Sequence, residues 1–398
     1  MRSLQMLRMA ALCAGASVVN PMRAARAQKS NPADFVHHLH RIMRDGSRSD
    51  STFDILERMR VYHVPGVSLA VIDGSRIVFA RGYGVKEFGT KQPVDTTTIF
   101  LAGSISKPVF ASGVMSLIEQ HKLALDEDVN HKLTSWKLPP SRFTAQKPVT
   151  LRELLTHSAG LTIHGFPGYA IDAPLPTVPQ VLDGAPPANT KAVRNDTTPG
   201  ALWRYSGGGI TIAQLLSTDV THEPFPALMQ RLVLGPAKMI HSTYENPLPK
   251  SRWRDAASGH EKIDTVVPGK FHVYPEMAAA GLWTTAPDLA RWAIAVSDAY
   301  KGRAGMFISP VMAKQMISRQ VLVDAKDSTS WWGLGVGVIG SGPQVEFSHG
   351  GRDEGFVANF DMWPVRGQGL VVLTNGVAGG FLNELSDAFR EAYSIKKP

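Results

Sequence analysis

Cysteine is almost absent from this sequence of 398 residues, and its scarcity excludes several kinds of chemistry. The single cysteine, Cys13, lies in an N-terminal segment that we expect to be removed. Arginines there precede a short apolar run over residues 9–19, and residues 25–27 read Ala-Arg-Ala, which is typical of a signal peptide covering residues 1–27. A mature periplasmic or secreted chain would then have no disulfide, no cysteine nucleophile and no zinc–thiolate site.

Long apolar runs and runs of basic residues are also missing. No stretch is long and apolar enough to span a bilayer, so we expect no stable membrane insertion after signal cleavage. The net charge of +8 includes four arginines in residues 1–27, which hold no acid, so the mature chain carries about +4. Its Lys and Arg residues are scattered, which argues against a nucleic-acid partner.

Several common catalytic and cofactor motifs are absent as well. The sequence contains no HExxH, no P-loop and no GxSxG elbow. A GxGxxG match at residues 335–340 is followed by Ser-Gly-Pro, which predicts a strand entering a turn and not a dinucleotide-binding helix. The histidines at positions 37, 38 and 40 fit a solvated helix surface better than a metal site. We therefore expect neither a metal nor an organic cofactor.

The order of predicted elements favours an α+β fold. Apolar residues recur at helical spacing over residues 33–60, and residues 67–72 and 76–80 predict a hairpin around Asp73-Gly74. The middle of the chain predicts short helices and an irregular loop over residues 164–200. Strands return near the end and are followed by a last helix. They are predicted at residues 333–339, 345–348, 356–363 and 370–374, with the helix at 382–393.

This order predicts one antiparallel sheet, built by both ends of the chain and flanked by terminal helices, with an inserted helical lobe. We assign residues 28–398 to a single domain. Its sheet lobe covers about 28–100 and 330–398, and its helical lobe covers about 104–325. A cleft between two such lobes is the usual place for a site.

One short motif carries nucleophilic chemistry, at residues 104–107 (Ser-Ile-Ser-Lys). Gly103 permits a tight turn before it, and Pro108 fits only near a helix start, so Ser104 is predicted at a helix N-terminus with Lys107 one turn further on. A serine hydroxyl needs a nearby base, and burial can lower a lysine pKa from about 10.4. The motif is weak alone, because residues 394–397 also match it. A helix N-cap and a surface lysine are the alternative.

Further segments in the same order show that the chain resembles the serine β-lactamase and penicillin-binding superfamily, and within it the class C β-lactamase-like esterases and peptidases. The resemblance covers nearly the whole mature chain. The matching segments are residues 64–71 (VPGVSLAV), 103–108 (GSISKP), 154–161 (LLTHSAGL), 199–200 (PG), 203–209 (WRYSGGG), 277–285 (MAAAGLWTT), 349–351 (HGG) and 354–356 (EGF).

The resemblance implies a β-lactamase/transpeptidase-like fold and a cofactor-free serine hydrolase. Ser104 would be the acylated nucleophile, Lys107 its base and Tyr205 a proton relay, although a core tyrosine is the alternative for the last. The segment from His349 through Gly350 and Gly351 stands where β-lactamases carry Lys-Thr-Gly on the strand that binds substrate. The backbone N–H groups of Ser104 and Arg352 would form the oxyanion hole. His157 is expected to order its loop through hydrogen bonds.

Two departures from the family pattern bear on the substrate. Gly207 replaces the asparagine of Tyr-x-Asn, and His349 replaces a lysine, so a fixed cation for a β-lactam carboxylate is lost. Both changes favour cleavage of a small ester, an amide or a peptide. The alternatives are a β-lactamase or D,D-peptidase, and a penicillin-binding sensor that is acylated without turnover.

Overall fold

A computed structural model describes residues 55–303 and 307–396. The predicted signal peptide, the histidines at 37, 38 and 40 and most of the helix predicted at 33–60 lie outside the described residues. The last turns of that helix are present as α1, and no helix of the described part is both long and apolar enough to cross a bilayer.

The elements of the described residues follow, in chain order. The helices are α1 (Ile55–Val61), α2 (Ser106–Glu119), α3 (Val129–Lys132), α4 (Leu151–Leu155), α5 (Val178–Asp183), α6 (Gly207–Thr221), α7 (Phe225–Met229), α8 (Met277–Ala280), α9 (Ala286–Tyr300), α10 (Pro310–Met316) and α11 (Gly379–Ala392). The strands are β1 (Gly66–Asp73), β2 (Arg76–Gly84), β3 (Phe100–Leu101), β4 (His260–Lys262), β5 (Thr265–Val266), β6 (Trp283–Thr284), β7 (Val321–Asp324), β8 (Asp327–Trp332), β9 (Gly337–Ile339), β10 (Glu346–Asp353), β11 (Phe356–Trp363) and β12 (Gln368–Thr374).

Eight of these strands form one antiparallel sheet in the order β2-β1-β12-β11-β10-β9-β8-β7. The N-terminal hairpin joins the C-terminal strands through β1 and β12, with Leu69 opposite Val372. The predicted α+β fold, with one antiparallel sheet completed by both ends of the chain, is therefore confirmed.

Strand β1 is buried on both faces because helices cover the sheet from both sides. Val67, Leu69 and Val71 pack in the core that holds α1 and α11, whereas Ala70 and Ile72 pack in the core of the helical lobe. Successive side chains of a strand point to opposite faces, so an uninterrupted apolar run is what a strand covered on both faces requires.

The structure differs from the sequence prediction in several element bounds. Of the strand predicted at residues 333–339, only Gly337–Ile339 is a strand (β9), and the strand predicted at 345–348 runs on to Asp353 as β10. The sheet already resumes at Val321, because the β7–β8 hairpin extends it beyond the boundary predicted at about 330. Within the loop predicted as irregular, residues 178–183 form α5. Its start is fixed by Thr177 and Gln180, which cap each other's backbone N–H groups in a capping box.

The cleft lies where β10 runs past its shorter neighbour. Strand β9 pairs only with Glu346, Phe347 and Ser348, so residues 349–353 pair with β11 on one side and have an open edge on the other. The short β3–β6 pair leads into a 3₁₀ turn at Gly103–Ile105 and then into α2. This turn brings residues 103–105 against the open edge.

Candidate active site

Ser104 lies in the 3₁₀ turn directly before α2, close to the helix start that the sequence predicted. Gly103 adopts a φ of +52°, and a Cβ there would lie 2.5 Å from the backbone nitrogen of Arg352, so only glycine allows this approach. Ser106 fixes the turn, because its Oγ donates to Gly103 O at 2.6 Å and accepts from Leu282 N at 2.9 Å. The second serine of the motif is thus committed to backbone hydrogen bonds.

Lys107 is 2% exposed and reaches Ser104 from one helical turn further on. Its Nζ donates to Ser104 Oγ at 2.8 Å and to Ala279 O at 2.7 Å. Burial lowers the pKa of Lys107 from 10.5 to about 7, with Asp353 acting in the opposite direction. A substantial fraction of the amine is therefore neutral near pH 7, and a neutral amine can accept a proton across the same 2.8 Å.

Tyr205 lies over the same pair, in the segment just before α6. Lys107 Nζ is 5.0 Å from the centre of its ring. The tyrosine hydroxyl is buried and forms no regular hydrogen bond within the described residues, although it lies near enough to Ser104 to interact with it. Burial raises the pKa of Tyr205, so the side chain stays a neutral phenol that can donate or pass on a proton.

His157 holds the segment that carries Tyr205. Its Nδ1 accepts a hydrogen bond from Ser206 N at 3.2 Å, its carbonyl accepts from Arg204 N at 2.7 Å, and its ring lies 4.2 Å from the Tyr205 ring. Burial lowers the pKa of His157 well below its usual value, with Lys107 the next largest cause. The imidazole is therefore neutral, and the loop-ordering role predicted for it agrees with these contacts.

Gly207 begins α6 against the loop at residues 163–166. A Cβ at this position would lie 3.0 Å from His164 O and 3.0 Å from the Phe166 ring. The imidazole of His164 in turn lies 4.8 Å from the Tyr205 ring. This loop occupies the space that a longer side chain at 207 would need, which explains in packing terms why the chain has glycine there.

His349, Gly350, Gly351 and Arg352 lie together on the open edge of β10, beside Ser104. A Cβ on Gly351 would be 1.9 Å from Ala102 O, so this glycine lets the strand approach the turn that holds the serine. The Arg352 side chain is exposed, whereas its backbone contacts Gly103. Burial lowers the pKa of His349 to about 3, with Lys107 the next cause. The imidazole is therefore neutral at physiological pH and supplies no charge to a substrate.

A cavity of about 820 Å³ opens above Ser104 and Lys107. Part of its wall is aromatic, with Trp203 and Trp332 5.5 Å apart and Trp332 5.4 Å from His349. Trp203, Trp331 and Trp332 all line this cavity. A wall of this kind suits an acyl or leaving group with a substantial apolar surface.

Two buried carboxyl groups behind the site were not singled out from the sequence. Glu276 precedes α8, the helix whose Ala279 carbonyl binds Lys107, and Asp353 ends β10. None of their four carboxyl oxygens has a regular hydrogen-bond partner among the described residues. Burial raises the pKa of Glu276 to about 7 and that of Asp353 well above its usual value. Asp353 follows His349 and Gly351 at intervals of two residues along β10, so all three lie on the same face of the strand. This spacing is the one feature of the sequence that could have identified Asp353.

The raised pKa of Glu276 predicts a pH-dependent loss of stability that glutamine would remove. Between pH 4.5 and about 7 the folded chain binds this proton and the unfolded chain does not, so the free energy of unfolding falls as pH rises. The Glu276→Gln variant should gain about 3 kcal/mol relative to wild type between pH 4 and pH 8. Urea unfolding at both pH values measures this gain, and an equal difference at the two would contradict the assignment.

The arrangement supplies a hydroxyl, a buried amine, a phenol and an open strand edge around one cavity. Across residues 55–303 and 307–396, no three His, Cys, Asp or Glu side chains gather as a metal site requires. The chemistry that these residues themselves can perform is acyl transfer to serine.

Comparison with known proteins agrees with this arrangement. The family model described as Beta-lactamase matches residues 54–393. Esterase EstB of Burkholderia gladioli is 24% identical over 380 residues, which cover 87% of this chain and 94% of the esterase. The unguisins hydrolase ungD of Aspergillus violaceofuscus is 24% identical over 277 residues, which cover 64% of this chain and 46% of that protein.

Among solved structures, the D-alanine carboxypeptidase AmpC of Burkholderia cenocepacia superposes with a TM-score of 0.69 at 19% identity. The superposition covers 92% of this chain and 99% of the carboxypeptidase, and it shows a shared fold. The chain spans about half the length of the first curated relatives that it matches.

Proposed function

Because the chain belongs to the β-lactamase family, we propose that it is a serine hydrolase that cleaves an ester or an amide through an acyl-enzyme on Ser104. The observation that carries the proposal is the 2.8 Å contact between Lys107 Nζ and Ser104 Oγ, made by an amine whose pKa is lowered to about 7. The predicted signal peptide supports a periplasmic or secreted location.

In acylation, the neutral amine of Lys107 takes the hydroxyl proton of Ser104 as Oγ attacks the substrate carbonyl. The backbone N–H groups of Ser104 and Arg352 stabilise the oxyanion, and the packing of Gly103 on Arg352 supports this pairing. Removal of one such donor typically costs about 10²–10³ in kcat. The ammonium of Lys107 then provides the proton that the leaving group needs.

Tyr205 passes that proton on. Its raised pKa disfavours a free phenolate, so we propose a relay in which the hydroxyl donates to the leaving group while it accepts from Lys107. In deacylation the same groups work in reverse. Water enters from the cavity, loses a proton towards Tyr205 and Lys107, and attacks the ester carbonyl on Ser104.

Three features support a plain ester or amide over a β-lactam as the main substrate. His349 is neutral, so it offers no charge to a β-lactam carboxylate. Gly207 has no side-chain amide to contact the substrate, and the loop at 163–166 fills the adjacent space. The cavity wall includes a group of aromatic side chains and is more apolar than polar, which suits hydrophobic acyl groups. The full-length similarity to an esterase agrees with this preference.

A D,D-peptidase is the second candidate, and the open edge of β10 favours it. Residues 349–353 have no β9 partner, so an extended peptide could add to the sheet there as a further strand. The fold shared with a D-alanine carboxypeptidase is compatible with this alternative.

A substrate panel distinguishes these functions. We expect p-nitrophenyl butyrate to be turned over with a kcat/KM at least about 10²-fold above that for a chromogenic cephalosporin, a ratio equal to about 2.7 kcal/mol. Release of D-alanine from a peptide ending in D-Ala-D-Ala would favour the peptidase. Faster turnover of the cephalosporin would contradict the ester preference, and a stable penicillin adduct without turnover would indicate a sensor.

A further inference from the structure

Asn359 of β11 is a polar side chain of the catalytic cavity that the mechanism above does not use. It lines the same cavity as Ser104. Its direct partner on β10 is Gly350, and residues that lie opposite each other in an antiparallel pair share one face of the sheet. The first turn of α11 contributes three further lining residues, Gly379, Leu382 and Asn383. The cavity therefore continues from the serine across β10 to the face of the sheet that α11 covers.

Hydrogen bonds fix the orientation of the Asn359 amide. Its nitrogen Nδ2 donates to Asp361 Oδ2 at 3.0 Å and to Ser386 Oγ at 3.2 Å. Ser386 Oγ in turn donates to Asp361 Oδ2 at 2.7 Å, so the hydroxyl oxygen is left to accept from Nδ2. A rotation of the amide by half a turn would place Oδ1 against these two oxygens and would lose both hydrogen bonds. The group that is left for the cavity is Oδ1, which accepts no hydrogen bond within residues 55–303 and 307–396.

Gly350 leaves this oxygen uncovered. A Cβ at position 350 would have Asn359 Oδ1 and Ala358 O as its nearest neighbours, both at 3.9 Å, so a side chain would fit there. Gly351 differs, because a Cβ at that position would lie 1.9 Å from Ala102 O. Gly350 is exposed and is not among the glycines with positive φ. Neither space nor backbone conformation requires glycine at 350, and the effect of the missing side chain is to keep Oδ1 open to the cavity.

The group that Oδ1 can bind is a hydrogen-bond donor. An amide oxygen accepts but cannot donate, which excludes an ether, ester or carboxylate oxygen as its partner. Arg352 lies two residues beyond Gly350 on the same face of β10, and its side chain is exposed. The positive charge of this side chain disfavours an ammonium group nearby. The chemistry of the position therefore selects a neutral donor, which is a hydroxyl or an amide N–H group.

We propose that Asn359 is a specificity-determining residue, whose side-chain oxygen binds a hydroxyl or amide N–H group at one end of the substrate. A substrate at the open edge of β10 lies about 4.8 Å from that strand, and β11 lies one equal spacing beyond it. The Asn359 oxygen is then about 10 Å from the scissile carbonyl, and a donor that reaches it is about 7 Å from that carbonyl. The inference rests on the proposed function of Ser104 and narrows its substrate class.

Esters with a terminal hydroxyl, compared with their methyl ethers, test this inference. The ether keeps the chain but cannot donate. One pair, 4-hydroxybutyl and 4-methoxybutyl butyrate, varies the leaving group, and the other, methyl 6-hydroxyhexanoate and 6-methoxyhexanoate, varies the acyl group. In one pair we expect wild type to show a kcat/KM about fivefold or more higher for the hydroxyl, as one net hydrogen bond gives. The short pair, 2-hydroxyethyl and 2-methoxyethyl butyrate, cannot reach Asn359 and should show no such preference.

Two variants on different strands should abolish the preference. Asn359→Ala removes the acceptor. Gly350→Val covers it and leaves Asn359 with its hydrogen bonds, so it decides the question if Asn359→Ala folds poorly. In both we expect the hydroxyl-to-ether ratio of kcat/KM to fall to within about twofold of one. Ser386→Ala is the matched control, because it removes a hydrogen bond from the same group around Asp361 but leaves Oδ1 in the cavity. It should keep the wild-type ratio.

Three results would overturn the proposal. They are a wild-type ratio near one in both long pairs, a ratio that survives in Asn359→Ala and Gly350→Val, and an equal loss of the ratio in Ser386→Ala. Failure of the proposed function looks different. If wild type hydrolyses neither these esters nor p-nitrophenyl butyrate, the proposed function is wrong. If it hydrolyses p-nitrophenyl butyrate but does not prefer the hydroxyl esters, only the role of Asn359 is wrong.

Discussion

Replacing Ser104 with alanine should lower kcat for p-nitrophenyl butyrate by about 10⁴-fold or more. The hydroxyl is the only group at this position that can form the acyl bond, and loss of a nucleophile that acts with its base as one unit typically costs about 10⁴–10⁶. The fold should survive, because the Ser104 side chain is half-buried and Ser106, not Ser104, fixes the turn. Steady-state kinetics with a matched melting temperature measure the effect.

The chain supplies its own control for this experiment. Ser394 begins a second Ser-x-x-Lys match just after α11, where it is exposed and is not among the residues that line the cavity. Ser394→Ala should keep kcat within about twofold of wild type, as most surface substitutions do. Equal losses in both variants would show that neither serine is the nucleophile.

Replacing Lys107 with glutamine should lower kcat by about 10³-fold or more and remove the acid limb of the pH profile. In wild type, kcat/KM should rise with an apparent pKa near 7, because the reaction needs the neutral amine. Below that pH it should fall about tenfold per unit. The variant has no group at this position to lose a proton, so its residual rate should not follow that curve. The measurement is kcat/KM from pH 5 to 9.

Lys107→Arg separates a base from a mere cation. Arginine keeps a positive charge near Ser104 but is not deprotonated in proteins. We expect it to be as inactive as the glutamine variant. Substantial activity in Lys107→Arg would show that the site needs the charge at 107 and not a proton acceptor.

The sequence predicted most of the fold because local patterns and global packing agree in this chain. The hairpin around Asp73-Gly74 and the strands near the C-terminus follow from alternating or continuous apolar runs with turn residues between them. The family resemblance rested on short segments in a fixed order, and the match over residues 54–393 confirms it. The hairpin of β7 and β8 was missed because its exposed polar residues, such as Asp327, lack an apolar strand pattern.

Some residues of the candidate site could be predicted from the sequence and others could not. Ser104, Lys107 and Tyr205 were predicted because each stands in a motif, and the structure brings them together. Glu276 and the loop at 163–166 were missed because their burial and contacts depend on packing between distant segments. The sequence also could not predict that His349 is neutral, because its low pKa results from burial beside Lys107.

The most direct test of the account is the location of the acyl group. Wild type is mixed with p-nitrophenyl butyrate, quenched in acid within one turnover, digested and analysed by mass spectrometry. The account predicts a butyryl group on Ser104, and its absence from Ser104→Ala treated in the same way. A butyryl group on another residue, or turnover with no adduct on Ser104 at any quench time, would contradict it.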